Sequence, residues 1–133
     1  MSGLAGLLAG RTDPGVYQWH TAFAPEEVRH TVEHAGQGFG YVDGWMHQTK
    51  AELLAAIGDA LGFPEHYGRN LDALADCLSE LDGDTVLLWD GWGPLARDEP
   101  RTFATVLRVL GGRERLTVLL RGAGPEVDVP SLD

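Results

Sequence analysis

The sequence predicts an α/β fold: a small parallel β-sheet packed by helices. Three observations carry that expectation. Short apolar runs of strand length alternate along the chain with segments of helical periodicity. The run Thr85-Val86-Leu87-Leu88-Trp89 has no polar face, as expected of an interior parallel strand covered on both sides. Between two such runs, Thr49-Lys50-Ala51-Glu52 is a capping box that marks a helix start.

Taken in order, Val16-Tyr17-Gln18-Trp19 offers a short strand. Pro25 suits a first helical position, Glu26 and Glu27 suit the first turn, and Val28, Val32 and Ala35 share one side. Gly36 and Gly38 break that helix, and Phe39 to Asp43 reads as the next strand. The capping-box helix buries Leu54, Ile57 and Leu61 and ends at Gly62 and Phe63-Pro64. A second helix is expected over 70–81, with Asn70 as N-cap, before the turn Asp82-Gly83-Asp84. After the strand over 85–89, a loop rich in Gly, Pro and Trp is expected from Asp90 to Arg101. Phe103, Val106, Leu107 and Leu110 then follow i, i+3, i+4, i+7 spacing up to Gly111-Gly112, and Leu116 to Leu120 is the last strand. The expectation is therefore three strands, with a fourth available from residues 16–19. Residues 122–133 show no periodicity and read as a flexible tail. No repeat or linker divides the chain, so residues 1–133 are expected to be one domain.

Composition narrows the function. An apolar fraction of 44% with 23% charged residues is that of a folded chain. The net charge of −10 disfavours nucleic acid and anionic membrane as partners, since both attract Lys and Arg. No stretch is long and apolar enough to span a bilayer, and residues 1–10 lack the basic start of a signal peptide. A single cysteine fits a reducing compartment, and a cytoplasmic location is expected. No surface stripe suggests a dimer, so the free chain is expected to be a monomer.

The charge is concentrated. Residues 63–84 contain Glu65, Asp72, Asp76, Glu80, Asp82 and Asp84 against Arg69 alone, a net of −5 and half the total of the chain. At about 100° per residue, Leu71, Leu74, Leu78 and Leu81 form one stripe, with Cys77 on its flank as a small core residue. Asp72, Asp76 and Glu80 form a ridge on the other side. Asp72 suits the helix dipole in the first turn, whereas Asp76 and Glu80 lie beyond it and repel at i,i+4 spacing. Such a ridge is either a plain solvated face or a surface for a cationic site on another molecule.

Other chemistries fit less well. His30 and His34 stand at i,i+4 spacing, but no Cys-x-x-Cys accompanies them and surface histidines are common, so no metal or other cofactor is expected. Asp72 and Asp76 resemble a glycosidase acid pair only in type, since nothing around them would raise the pKa of one. No phosphate-binding glycine loop or nucleophile elbow occurs, so the chain is not expected to be an enzyme. Trp89 belongs to the core, and Trp92, on the expected loop, is a candidate binding anchor.

The run Phe63-Pro64-Glu65-His66-Tyr67-Gly68-Arg69-Asn70-Leu71-Asp72-Ala73-Leu74-Ala75-Asp76-Cys77-Leu78 closely resembles the core motif of the barstar family, intracellular inhibitors of secreted microbial ribonucleases. The likeness runs without a gap from about Tyr41 to Leu78 and more loosely through Val86 and Val118. Residues 1–36 then read as an N-terminal extension. The resemblance implies a stoichiometric inhibitor of a guanyl-specific, barnase-like secreted ribonuclease, whose active site is plugged by the acidic helix and the turn before it. It implies that Asp76 takes the place of substrate phosphate, that Asp72 pairs with an arginine at the rim, and that His66, Gly68, Asn70, Leu71 and Ala75 line the same surface, with Glu80 continuing the ridge. Three positions depart from the family prototype: Ala75 stands for a tryptophan, His66 for a tyrosine, and an acid before the last strand aligns near Gly111-Gly112, where Glu114 is a replacement. The implied partner is therefore a related but different ribonuclease. An immunity or adaptor protein of the same fold, binding another basic toxin or surface, is the alternative.

Overall fold

The computed structural model describes residues 2–132. Four strands, β1 (Val16–Gln18), β2 (Gly38–Asp43), β3 (Thr85–Asp90) and β4 (Leu116–Arg121), form an all-parallel sheet in the order β1-β4-β3-β2. The fourth strand thus comes from the N-terminal segment, where Val16 pairs with Val118 and Gln18 with Leu120.

The helices are α1 (Ser2–Leu8), α2 (Pro25–His34), α3 (Lys50–Leu61), α4 (Leu71–Ser79), α5 (Gly93–Asp98) and α6 (Pro100–Leu110). They cover both faces of the sheet. On one face Phe39, Val86, Leu88 and Leu119 pack with Leu4 and Leu7 of α1 and Val28 and Val32 of α2. On the other, Val42, Leu87, Trp89, Val118 and Leu120 pack with Leu54 and Ile57 of α3, Leu74 and Leu78 of α4, and Phe103 and Val106 of α6. This is why β3 is uniformly apolar: both sides of its pleat are covered. It also shows what residues 2–36 do, since with α1 and α2 they supply one whole layer.

Three segments differ from the sequence-based expectation. Residues 93–98, expected to be loop, form α5, whose Pro94 suits the first turn and whose six residues are too few to show a helical period. Trp92, a candidate anchor, is 1% exposed and stacks on Phe103 with ring centroids 5.4 Å apart, so burial removes it from the contact surface. The end of the chain, read as a flexible tail, lies along the outer edge of β1: Gln18 N–H donates to the Pro130 carbonyl and Leu132 N–H to the Gln18 carbonyl, both at 2.9 Å, and Leu132 is buried. A strand edge and one leucine leave no periodic signature.

Candidate protein-binding site

The acidic helix is positioned by the turn before it. The carbonyl of Gly58 in α3 accepts from Phe63 N–H at 2.9 Å, and Tyr67 N–H donates to the Pro64 carbonyl at the same distance. The Tyr67 ring meets Phe63 edge-on, centroids 5.0 Å apart, and its hydroxyl donates to the Leu54 carbonyl of α3 at 3.0 Å. The ring lies directly on Gly58, where a Cβ would come within 2.7 Å of Tyr67 Cε2. Gly58→Ala is therefore expected to destabilise the chain by about 1–3 kcal/mol, the usual range for overpacking. Urea denaturation measures it, and an unchanged midpoint would show that the turn is not held this way.

Burial pushes the Tyr67 hydroxyl up to about 12, and burial together with Asp90 does the same for Tyr41. A phenol whose folded-state pKa is raised supports the fold below its unfolded value of about 10, and that support is lost as pH rises through the folded value. Stability is thus expected to fall between pH 10 and 12, and the fall should flatten in Tyr67→Phe and Tyr41→Phe. Denaturation midpoints across that window read it out.

Arg69 closes the turn with φ of 54°, a left-handed conformation that costs a non-glycine residue on the order of 1 kcal/mol. Asn70 follows as the N-cap, its side-chain oxygen accepting from Ala73 N–H at 2.8 Å. From there α4 buries Leu74 and Leu78 and turns its opposite side outward. Asp72, Asp76 and Glu80 are all exposed, as are His66, Gly68 and Asn70, while Leu71 and Ala75 are half-buried beside them. Among the described residues, no ion pair engages Asp72, Asp76 or Glu80. Regular helix ends at Ser79, with Glu80 as C-cap, two residues short of the expected end. Cys77 is half-buried rather than core, and burial beside Glu80 and Asp76 raises its thiol pKa. Glu114 is exposed in the loop before β4, and it shares a shallow hollow with Leu78, Ser79 and Leu81 at the end of α4.

The arrangement is a row of carboxylates on a capped helix, unpaired with any cation among the described residues. It can receive cations or hydrogen-bond donors without first breaking internal pairs. Among the described residues no group of three or more His, Cys, Asp or Glu side chains could hold a metal ion, and His30 and His34 stack on each other with centroids 6.2 Å apart. No described helix is long and apolar enough to cross a membrane.

A second constellation has no trace in the sequence motifs. At the carboxyl ends of β3 and β4, Asp90 and Arg121 stand in register and form a two-pronged ion pair, Nε to Oδ1 at 2.7 Å and the second guanidinium nitrogen to Oδ2 at 2.8 Å. Their side chains are only 8% and 11% exposed. Tyr41 donates to Asp90 at 3.0 Å, and Arg121 also donates to the carbonyls of Thr21 and Phe23, at 3.3 and 2.6 Å. Asp90 raises the pKa of the guanidinium still further, holding it charged. The one signal available was a charge of opposite sign closing each of two apolar runs. Close by, Trp45 and Met46 are 54% and 70% exposed, the two large apolar side chains left open among the described residues.

The family model for barstar, the barnase inhibitor, matches residues 38–121, well over half of the chain. The chain belongs to the barstar family. Members of the barstar family are protein inhibitors, not enzymes. No curated protein sequence matches. Among solved structures, the barstar-like fold is similar to a chain in a structure of Drosophila ORC bound to DNA, with 17% identity and a TM-score of 0.65 over 92% of this chain and 36% of that one. It is also similar to a chain in Drosophila ORC bound to AT-rich DNA and Cdc6, with 15% identity and a TM-score of 0.57 over 90% of this chain and 43% of that one. This chain spans well under half the length of both, and at these identities the likeness is one of fold.

Proposed function

We propose that this protein is a stoichiometric inhibitor of a secreted microbial ribonuclease, acting from the cytoplasm of the producing cell as a monomer that blocks the active site of the enzyme with α4. The observation that carries this reading is the exposed row Asp72, Asp76 and Glu80, which makes no ion pair among the described residues and stands on a helix held by Asn70 and Tyr67. A ribonuclease must hold a phosphate, so its active site is cationic. A carboxylate fixed on a helix can take the place of that phosphate with little ordering cost. In this reading Asp76 enters the phosphate position and Asp72 pairs at the rim. His66, Gly68, Asn70, Leu71 and Ala75 form the surrounding contact, and Glu80 extends it.

The departures at His66 and Ala75 favour a partner other than barnase itself. Losing the aromatic ring at 75 removes contact area, and imidazole at 66 replaces a phenol. A basic ribonuclease secreted by the same cell fits both. The immunity or adaptor reading, with another basic toxin as partner, keeps the same acidic surface and differs only in what is captured.

Capture from culture supernatant on the immobilised chain tests the choice. A basic protein whose ribonuclease activity falls to zero at one equivalent is the expected result; a captured protein without that activity supports the alternative. Opposed fields also predict an association rate that falls steeply with added salt, while dissociation changes little. A salt-independent association rate, read by stopped flow, would remove the electrostatic role of the acidic ridge.

A further inference from the structure

The sheet has a topological switch point. β1 and β4 are neighbours, yet the chain leaves them in opposite directions. From β1 it passes through residues 19–24 into α2, on the face where Val28 packs. From β4 it passes into residues 122–129, whose Val127 and Val129 pack on the other face. Where two neighbouring strands part in this way, a gap is left outside their carboxyl ends, and in open parallel sheets ligands bind there.

Here the gap is an open crevice of about 710 Å³, within the size range of small-molecule sites. Phe23 and Trp45 contribute open ring surface to its walls, while Trp19 and Trp92, 4% and 1% exposed, lie behind them. Of its ionisable wall residues, Asp90 and Arg121 neutralise each other, and the remaining guanidinium nitrogen is spent on the Thr21 and Phe23 carbonyls; His20 is the third. That clamp ties the 19–24 wall to the sheet, so the crevice is preformed. Trp45 lies flat on backbone: a Cβ on Gly91 would come within 2.6 Å of its ring, and Gly122 lies against the same ring. More than half of Trp45 is nevertheless open.

We propose that this crevice binds an uncharged small molecule carrying a flat ring, stacked on Trp45. With Asp90 and Arg121 spent on each other, the walls offer no uncompensated carboxylate or guanidinium to offset a buried charge, and the open indole of Trp45 favours a ring at van der Waals distance. The site does not depend on the inhibitor reading. The 18–25 wall precedes the family-matched residues 38–121, and the acidic ridge of α4 takes no part in lining it.

Naphthol, naphthoate and naphthylmethylamine share a ring system and differ in charge, so together they test the chemistry. Amide spectra of the full chain are recorded while each is titrated. The expected result is saturable shifts with naphthol at residues 18–25, 45, 91 and 122–124, with binding weaker by about tenfold or more for both charged analogues. Ala123→Trp, which fills the crevice mouth from an exposed position, should abolish the shifts. Trp45→Ala should weaken them by at least about tenfold, while the spectrum of the rest of the chain stays intact in both variants. The proposal is overturned by an absence of saturable shifts with naphthol, by equal binding of the charged analogues, or by shifts that survive both substitutions.

Discussion

Asp76→Ala is expected to weaken binding of the cognate ribonuclease by about 2–5 kcal/mol, the cost of truncating one partner of a buried, hydrogen-bonded charge pair. The barnase–barstar complex is the standard example of that range, so the magnitude is carried over from the family prototype and not obtained from this chain. The direction follows from the structure under the proposed reading. Asp76 projects from the middle of a capped helix and has no ion pair among the described residues, so its removal should leave the fold untouched. The whole loss should then appear in binding. Most of it should be in dissociation, because the cations of the enzyme would stay buried without a counter-charge. Asp72→Ala, at the rim, should cost less and act more on association. Isothermal titration with stopped-flow rates measures both, and a circular dichroism melt confirms that each variant is folded. If Asp76→Ala binds as tightly as the parent chain, the helix does not occupy the phosphate site.

The largest effect on stability is expected at Arg121. Replacing it with Met leaves the Asp90 carboxylate buried with only the Tyr41 hydroxyl beside it, and takes the donor from the Thr21 and Phe23 carbonyls. Breaking a buried pair from one side costs about 3–5 kcal/mol, which urea denaturation resolves easily. The partner test is the double variant Asp90→Leu with Arg121→Met. Removing both leaves no unpaired buried charge, although the Tyr41 hydroxyl and the Thr21 and Phe23 carbonyls still lose a partner, so the double should be less destabilised than Arg121→Met alone. A loss below about 1 kcal/mol in the single variant would mean that water already reaches the pair.

How much of this was legible beforehand depended on range. Features written within a few residues came through. The Thr49–Glu52 box caps α3 as expected, with the Thr49 hydroxyl accepting from Glu52 N–H, and Gly62 takes the left-handed position that ends the helix, φ 68°. Asn70 caps α4, and the leucines at 74 and 78 are buried while the acids at 72, 76 and 80 are exposed, because a 3.6-residue period is a local property. The uniform apolarity of residues 86–89 correctly implied a sheet covered on both faces. Pairings made by distant segments left no such mark. Two glycines among the seven residues of α1 blur its period. The docking of Leu132 beside β1 is a single contact, and the crevice arises only when residues 18–25 meet 121–124 across the chain. Within the acidic segment the order of residues marked the solvent-exposed face, whereas its support by Gly58 and Tyr67 became readable only once the turn was folded back on α3.

The central claim is that carboxylates on α4 stand where the RNA backbone would lie. It is tested most directly by titrating the enzyme–inhibitor complex with a mononucleotide that fills the active site of the ribonuclease. The account predicts mutual exclusion: the apparent dissociation constant of the inhibitor rises in proportion to nucleotide concentration, and no ternary complex forms. A stable ternary complex, with inhibitor affinity unchanged at saturating nucleotide, would contradict it.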